Sequence, residues 1–451
     1  MNRRTFIQMT AGTALASAAR PVVAARARQT GPVGANERVR MAIIGSGNRG
    51  NEVVTSFAEA KNPNVFVAAC DVFKERLDAT VQKLSTASGA KVDGYEEYKR
   101  ILDRKDVDAV LIATPDHWHP QITMDACAAG KDVYMEKPAC NDATIEEAAR
   151  VIPIARRYNR IVQMGTEQRS WPMFAEAREL IPQLGGVTHV VIQQAGGGSP
   201  TTEPVVAVPA GLNWDTFQGP APRKAYKAGR QRGWRYYLDY GGGLITDWGV
   251  HWADTALWFM NAQLEAPKMT SGIGQYVNVE NPDRDRPYNA YTGSWQYSKF
   301  VMSFSNVVWA DPEFSANGVI FYGPRGSLVI NRSGYMLRPG SAGRGRAAGP
   351  AAGPAGAAGR GPGPGGAAPQ QPVLPPLEGK TYRPQGGTNG TAMSTTLHVE
   401  NFLECVKSRQ RPVSDVEIGF FATLPCVLAL RSMRESKAYT WDMAKMAPKA
   451  L

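Results

Sequence analysis

The chain has 451 residues, of which 43% are hydrophobic and 9% aromatic. This is enough apolar material for a packed core, so a wholly disordered chain is excluded, and the length predicts about two or three domains. The formal net charge is +11, but no dense basic run is interleaved with aromatic residues, so we do not expect a nucleic-acid partner. No apolar run reaches the roughly 20 residues of a membrane span, so we do not expect a membrane span either.

The first 28 residues resemble a twin-arginine (Tat) export signal. Arg3 and Arg4 are followed by Phe6 and Ile7, and then by a weakly apolar stretch and small-residue cleavage candidates. The Tat route exports proteins that are already folded. We therefore expect a periplasmic or secreted protein that uses the Tat machinery.

Residues 37–165 alternate apolar runs with helical segments. The runs that predict strands are Val39–Ile44, Asn64–Cys70, Asp108–Ala113, Asp132–Met135 and Ile161–Met164. Strands that alternate with helices of about ten residues or more indicate a parallel sheet with right-handed crossovers. The sequence therefore predicts an α/β fold that begins with a doubly wound Rossmann domain.

Residues 166–451 have a different texture. A helix is predicted at Leu244–Met260, and several β-like runs follow, among them Gly293–Phe304 and Val307–Ala310. They predict a C-terminal α/β domain with an open, mostly antiparallel sheet. Within it, Gly340–Gly387 is rich in Gly, Ala and Pro and cannot bury enough apolar surface to offset its ordering entropy, so we interpret it as a disordered insertion.

A G-x-G-x-x-G motif follows the first predicted strand and opens a helix, which is the context that dinucleotide binding requires. The candidate cofactor-binding residues of this motif are Gly45, Ser46, Gly47, Asn48, Arg49 and Gly50. Asp71 ends the second strand, where an acid accepts hydrogen bonds from the adenosine ribose and repels a 2′-phosphate. This favours NAD, although Lys74 and Arg76 leave NADP open.

Three further segments are candidates for the chemistry. Thr114–His119 and Glu136–Pro138 each follow a strand, at the edge where open α/β sheets bind ligands, and the Lys137–Pro138 bond is a candidate cis peptide. In the third segment, Asp247, His251 and Asp254 have the i, i+4, i+7 spacing of one helix face.

Together these segments resemble the Gfo/Idh/MocA family, which includes glucose–fructose oxidoreductase and inositol dehydrogenase. The resemblance rests on four elements in order: the glycine motif, T-P-x-x-x-H at Thr114–His119, E-K-P at Glu136–Pro138, and G-G-G-x-x-x-D-x-G-x-H-x-x-D at Gly241–Asp254. It covers nearly the whole mature chain. The resemblance implies a catalytic Lys, Asp and His, and an open sheet that often forms homo-oligomers.

The implied catalytic residues are Lys137, Asp247 and His251. His251 titrates near neutrality and is the better general base, while Lys137 would polarise the reacting hydroxyl. Candidate cofactor contacts at this end are Thr114, Pro115, His119, Glu136 and Lys137, and candidate substrate contacts are Trp118, Trp248, Trp252 and Asp254.

The expected activity is hydride transfer between a secondary alcohol of a sugar, glycoside or polyol and NAD(P). Two alternatives stay open: an NAD-dependent glycoside hydrolase of the same superfamily, and a non-catalytic cofactor or sugar sensor. The five cysteines have no metal-ligand spacing, so we expect no metal site and interpret them as buried small hydrophobic residues.

Overall fold

The computed structural model describes residues 38–306, 317–340, 377–384 and 390–451. The first part of the chain forms a six-stranded parallel sheet. Its strands are β1 (Val39–Ile44), β2 (Asn64–Cys70), β3 (Asp93–Tyr95), β4 (Ala109–Ile112), β5 (Asp132–Met135) and β6 (Val162–Met164). Their order in space, β3-β2-β1-β4-β5-β6, is that of a Rossmann fold and confirms the predicted doubly wound sheet.

Helices cover both faces of this sheet, so most positions of its strands are buried. The helices are α1 (Asn48–Glu59), α2 (Lys74–Ser88), α3 (Lys99–Leu102), α4 (His119–Ala128) and α5 (Ile145–Arg157). Each strand from β4 to β6 is buried at every position, as expected of an apolar run between two helical layers. The carboxyl ends of the strands therefore meet at one edge, from which the polar loops emerge.

The second part of the chain forms a ten-stranded sheet. Its strands are β7 (His189–Gln194), β8 (Met269–Gln275), β9 (Ala290–Gln296), β10 (Val301–Ser305), β11 (Asn317–Gly323), β12 (Gly326–Asn331), β13 (Gly334–Pro339), β14 (Lys380–Tyr382), β15 (Tyr439–Asp442) and β16 (Ala447–Ala450). Every pairing that is resolved in it is antiparallel except that of β7 with β10. The mostly antiparallel second sheet is thus confirmed.

Two predictions about this sheet are wrong in detail. The run Gly293–Phe304 is not one strand: β9 and β10 form a hairpin, because the polar Ser298 and Lys299 make the turn between them. The predicted insertion also reaches too far, since β14 pairs with β13 inside it. Val307–Ala310, the core of the insertion at 343–369 and the signal at 1–28 lie outside the described residues.

The helices of the second part are α6 (Pro172–Arg178), α7 (Trp214–Gln218), α8 (Ala228–Arg232), α9 (Leu244–Asp247), α10 (Gly249–Phe259), α11 (Gly390–Ser408) and α12 (Val416–Glu435). The helix predicted at Leu244–Met260 is divided at Trp248 into α9 and α10. Helix α12 is long and apolar enough to cross a membrane by length and composition alone. However, 83% of its most apolar 18-residue stretch is buried inside the protein, because α12 packs against β8 and β9.

The two sheets share one hydrophobic core, and residues 38–451 form a single compact unit. Helix α11 also returns to the first sheet, where Val399, Phe402 and Leu403 pack against Phe57 and Tyr134. All five cysteines are buried and free of disulfides, as predicted. The predicted domain boundary between residues 165 and 166 falls between β6 of the first sheet and β7 of the second. That these two parts are separate domains stays a prediction.

Candidate active site

The turn between β1 and α1 requires glycine at two positions. Gly45 has φ +96°, and a Cβ there would lie 2.6 Å from the carbonyl carbon of Ala113; a Cβ on Gly50 would lie 2.4 Å from the Gly45 oxygen. At Gly47, by contrast, a Cβ would meet only Arg76, at 3.7 Å. Gly47 is therefore the place where a ligand can approach the backbone.

Gly47 precedes the first turn of α1, and no side chain caps that helix. The N–H groups of the first turn and the positive end of the helix are consequently available to a phosphate. Asn48 is exposed at this end, whereas Ser46 is buried beneath it. These features fit the pyrophosphate of a dinucleotide.

Asp71 follows β2 and is held by two backbone donors. Its oxygens accept hydrogen bonds from Ser46 N at 2.7 Å and Phe73 N at 2.9 Å. Burial raises the pKa of Asp71, while these N–H groups and Arg76 act in the opposite direction. Because each carboxylate oxygen can accept a second hydrogen bond, the carboxylate still fits a ribose hydroxyl.

Gly45, Gly47 and Asp71 line one pocket at the edge of the first sheet. Its other lining residues include Val72, Phe73, Arg76, Thr114, Pro115, Trp118, Leu212, Phe217 and Trp234. Trp118, a candidate substrate contact, also lines this pocket, and its Nε1 donates to Phe217 O at 3.1 Å. The segment at 212–217 therefore contributes Leu212, Thr216 and Phe217 to the lining of the pocket at the glycine motif.

Arg49 connects the glycine motif to the E-K-P segment. Its Nε donates to Glu136 Oε1 at 3.0 Å, and its Nη2 lies 3.9 Å from Glu167 Oε2. Burial disfavours the charge of Arg49, but the two carboxylates outweigh that effect and raise its pKa. Burial raises the pKa of Glu136, against the effect of Arg49. Arg49 and Glu136, both expected to contact the cofactor, are thus bound to each other.

Lys137 follows β5, and its peptide bond to Pro138 is cis, as proposed from the sequence. The Lys137 Nζ donates to the main-chain oxygen of Asp247 at 2.7 Å and to its Oδ1 at 2.5 Å. Arg235 Nε donates to the same Oδ1 at 3.2 Å. Burial alone would raise the pKa of Asp247, but Lys137 and Arg235 reverse the effect and hold it at about 2. Asp247 is therefore an ionised carboxylate that anchors Lys137.

His251 lies in α10, one turn beyond Asp247, and is buried. Its Nδ1 is 2.9 Å from Gln168 Oε1 and 3.8 Å from Glu167 Oε2. Burial lowers the pKa of His251 well below its ordinary value, against the effect of Glu167. The ring is neutral, and with the Gln168 oxygen facing it, Nδ1 carries the proton. The lone pair of Nε2 is then free to accept a proton.

Several residues that build this site were missed from the sequence. Glu167 and Gln168 follow β6 at the same sheet edge as Lys137, so the rule that located the E-K-P segment would have found them. Arg332, between β12 and β13, donates to Glu167 Oε1 at 2.8 Å and lies over the Trp248 ring at 4.8 Å. Arg332 gives no signal in the sequence, because its partners are distant along the chain.

Asp116 is a further buried acid at this edge. Burial raises its pKa well above the usual range, against weaker effects of Arg235 and Lys137. Among the described residues its Oδ1 has no hydrogen-bond partner. Burial thus disfavours a second negative charge beside the cations of the site.

Two expected substrate contacts are wrong. Trp252 is fully buried and donates to Gln194 Oε1 at 2.7 Å, and Asp254 is fully buried and accepts from Arg169 at 2.8 Å. Both belong to the core because the α10 face that carries them packs against β7 and the residues after β6. Trp248 is only partly buried, but Arg332 covers its ring.

His119 holds two segments of the site together. Its Nδ1 is 2.7 Å from Pro138 O and its Nε2 is 2.9 Å from Thr114 O. Burial lowers its pKa to about 4, so the ring is neutral. A neutral ring has one N–H, which donates to one of the two carbonyl oxygens. His119 therefore positions the Thr114 and E-K-P segments and is itself shielded from solvent.

Two family models match the chain. Residues 39–166 match an oxidoreductase family model with an NAD-binding Rossmann fold, and residues 185–309 match the C-terminal alpha/beta domain of an oxidoreductase family. Together they span more than half of the chain. The first of these matches agrees with the cradle formed by the glycine motif and Asp71.

Individual relatives are more distant. A glycosyl hydrolase family 109 protein of Shewanella pealeana is 30% identical over 132 residues, which is 28% of each chain. The rhizopine catabolism protein MocA of Rhizobium meliloti is 27% identical over 221 residues, 49% of this chain and 57% of the relative. The chain thus matches less than two thirds of the length of these curated relatives.

Among solved structures, myo-inositol 2-dehydrogenase of Lactobacillus plantarum superposes with a TM-score of 0.57 at 18% identity. The superposition covers 89% of this chain and 98% of that enzyme. At this identity the similarity establishes the fold alone.

Proposed function

Since the chain belongs to the Gfo/Idh/MocA family of NAD-binding oxidoreductases, we propose that it transfers a hydride between a secondary alcohol of a sugar, glycoside or polyol and NAD. The observation that carries the proposal is the position of Lys137. Its Nζ is fixed by Asp247 at the sheet edge that also carries the cofactor cradle, and neutral His251 lies on the next helical turn.

NAD, when bound, supplies the hydride acceptor. An ammonium group has three N–H donors, and Lys137 uses two of them on Asp247, so the third is available to the oxygen of the reacting alcohol. His251 Nε2 accepts the hydroxyl proton, since burial keeps the ring neutral and Gln168 fixes its orientation. Asp247 acts by holding Lys137 rather than by taking the proton.

The direct test is a panel of sugars and polyols incubated with the purified protein and NAD, followed by the absorbance of NADH. We expect net NADH from at least one of them, and the signal should be lost in Lys137→Ala. A panel that gives no NADH, with NAD bound, would contradict the proposal.

The cofactor preference has its own test. We expect Asp71, which lines the pocket at the glycine motif, to bind the ribose hydroxyls, so Asp71→Ala should weaken NAD binding more than NADP binding in a fluorescence titration. An equal loss for the two cofactors would remove Asp71 from the ribose. Release of NAD(H) from the denatured protein would show that the cofactor copurifies.

A second candidate function is supported by the family 109 glycosyl hydrolase relatives, although they match only 28% of this chain. In such a reaction a sugar carbon is oxidised, the aglycone is eliminated, water adds, and the carbon is reduced again, so no net NADH forms. Incubation with aryl glycosides distinguishes the two. Aglycone release without net NADH would favour the hydrolase.

We further propose that the protein is exported in folded form through the Tat route, as Arg3 and Arg4 indicate. Replacing both with Lys should retain the precursor in the cytoplasm, and normal processing of that variant would contradict the proposed export route.

We also propose a homo-oligomer formed through the open face of the ten-stranded sheet, where Met269, Ile273 and Val301 are exposed. Ile273→Glu should lower the mass measured by light scattering.

A further inference from the structure

Arg235 presents a fixed cation at the active site. Its Nε donates to Asp247 Oδ1 at 3.2 Å, and its guanidinium stacks over the Trp234 ring with Cζ 4.4 Å from the centroid. The side chain is nevertheless 38% exposed. Within the described part of the chain, neither Nη nitrogen makes a hydrogen bond. One edge of the guanidinium is thus anchored, and its remaining donors are available to a ligand.

This free edge lies close to the reacting end. Arg235 Nε and Lys137 Nζ both bind Asp247 Oδ1, so the two nitrogens are within about 6 Å of each other. Arg235 also acts electrostatically on the buried Asp116 and His119 of the same edge. A group bound by Arg235 and a hydroxyl held by Lys137 can therefore belong to one monosaccharide.

The charges at this point do not balance. Lys137 and Arg235 share a single carboxylate, that of Asp247. The neighbouring cation Arg332 is already paired with Glu167, and burial disfavours the charged form of Asp116. A neutral sugar would leave one positive charge uncompensated among these partly buried side chains, whereas an anionic one would neutralise it.

We propose that the substrate carries an anionic group, a carboxylate or a phosphate, and that the Nη nitrogens of Arg235 bind it. This inference rests on the proposed oxidoreductase function and narrows its substrate to sugar or polyol acids and phosphates. Guanidinium suits the role because its planar donors match carboxylate and phosphate oxygens in pairs.

The experiment compares neutral and anionic substrates in matched pairs. Glucose against glucuronate, galactose against galacturonate, and glucose against glucose 6-phosphate are each assayed with NAD by NADH formation. We expect kcat/KM to be higher for the anionic member of at least one pair, by about 10- to 100-fold, as for a charged hydrogen bond. The pair that responds identifies the carboxylate or the phosphate.

Variants then assign the preference to Arg235. Arg235→Gln should lower the anionic-to-neutral ratio of kcat/KM by about 10- to 100-fold, mainly through KM, and Arg235→Lys should retain part of it because the charge remains. Arg232→Gln is the matched control, since Arg232 is exposed on the same segment and should leave the ratio unchanged.

Three results would overturn the inference. If the wild-type protein preferred the neutral member of every pair, the inference would be overturned while the proposed function would stand. An equal loss for both members in Arg235→Gln would show that Arg235 acts only by holding Asp247. NADH from no compound in the panel would overturn the inference and the proposed function together.

Discussion

Two clusters of charged side chains lie next to each other beyond β5 and β6, and they differ in their access to water. The buried network consists of Arg49, Glu136, Glu167 and Arg332, and the side chains of its two acids are 5% and 2% exposed. The open cluster consists of Lys137, Asp247 and Arg235, with side chains 11%, 17% and 38% exposed.

The difference separates positioning from chemistry. In the buried network each charge is opposed by another, because a buried charge without a partner is costly. That network joins the glycine motif to the E-K-P segment and to the side of His251, so it fixes the relative positions of these segments. The open cluster retains unused donors, and we therefore expect substrate to bind there. The predictions below test this division.

The largest effect is expected in the open cluster. Lys137→Ala should lower kcat by about 10²–10⁴-fold, since it removes the donor to the reacting oxygen. NAD affinity and thermal stability should stay near the wild-type values, because Asp247 keeps Arg235 as its partner. Steady-state kinetics and NAD titration measure the two quantities, with the exposed and distant Lys61→Ala as the control. Near-normal turnover in Lys137→Ala would remove Lys137 from the chemistry.

The buried network should respond in the opposite way. Glu167→Gln leaves Arg49 and Arg332 without a buried carboxylate between them, and we expect a loss of about 3–5 kcal/mol in the free energy of unfolding. Denaturant unfolding measures it. Glu52→Gln is the control, because Glu52 pairs with Arg49 from an exposed position. If the two variants lost similar small amounts of stability, the buried network would not have the structural role assigned to it.

The smallest of the three effects lies where the clusters meet, at His251. Its protonated form cannot accept a proton, so kcat/KM should fall about tenfold per pH unit below its pKa. Burial holds that pKa well below the ordinary histidine value of about 6.5, so the limb should lie on the acid side of it. The limb should disappear in the residual activity of His251→Ala. A limb at neutrality would show that His251 is hydrated in the working enzyme.

The expected acid limb depends on the burial of His251, which cannot be predicted from the sequence. From residue type alone His251 is expected to titrate near neutrality, and only the fold reveals that its ring is buried against Gln168 and Glu167. The first sheet was predictable because its strands are apolar runs, so that Val39–Ile44 and Asn64–Cys70 were located to the residue. The short strands at Asp93–Tyr95 and Tyr439–Asp442 were missed, because three or four residues carry little periodicity.

For the site, Lys137, Asp247 and His251 could be located because they lie in short motifs. Arg332 could not, since it lies in no motif and its pairing with Glu167 joins residues 165 positions apart. Asp254 shares its predicted helix face with Asp247 and His251, but helical spacing does not show which face of a helix is buried, and both Asp254 and Trp252 lie in the core. Patterns locate the residues of a motif, whereas the partners of an ion pair emerge only from the three-dimensional fold.

The packing of α11 against Phe57 and Tyr134 has a consequence for biosynthesis. The first sheet is complete by residue 164, but its hydrophobic core is closed by a helix that begins at Gly390. At about 5–20 residues per second, the ribosome needs on the order of ten seconds or more to synthesise the intervening chain. During that time the nascent first sheet exposes the apolar surface that α11 later covers.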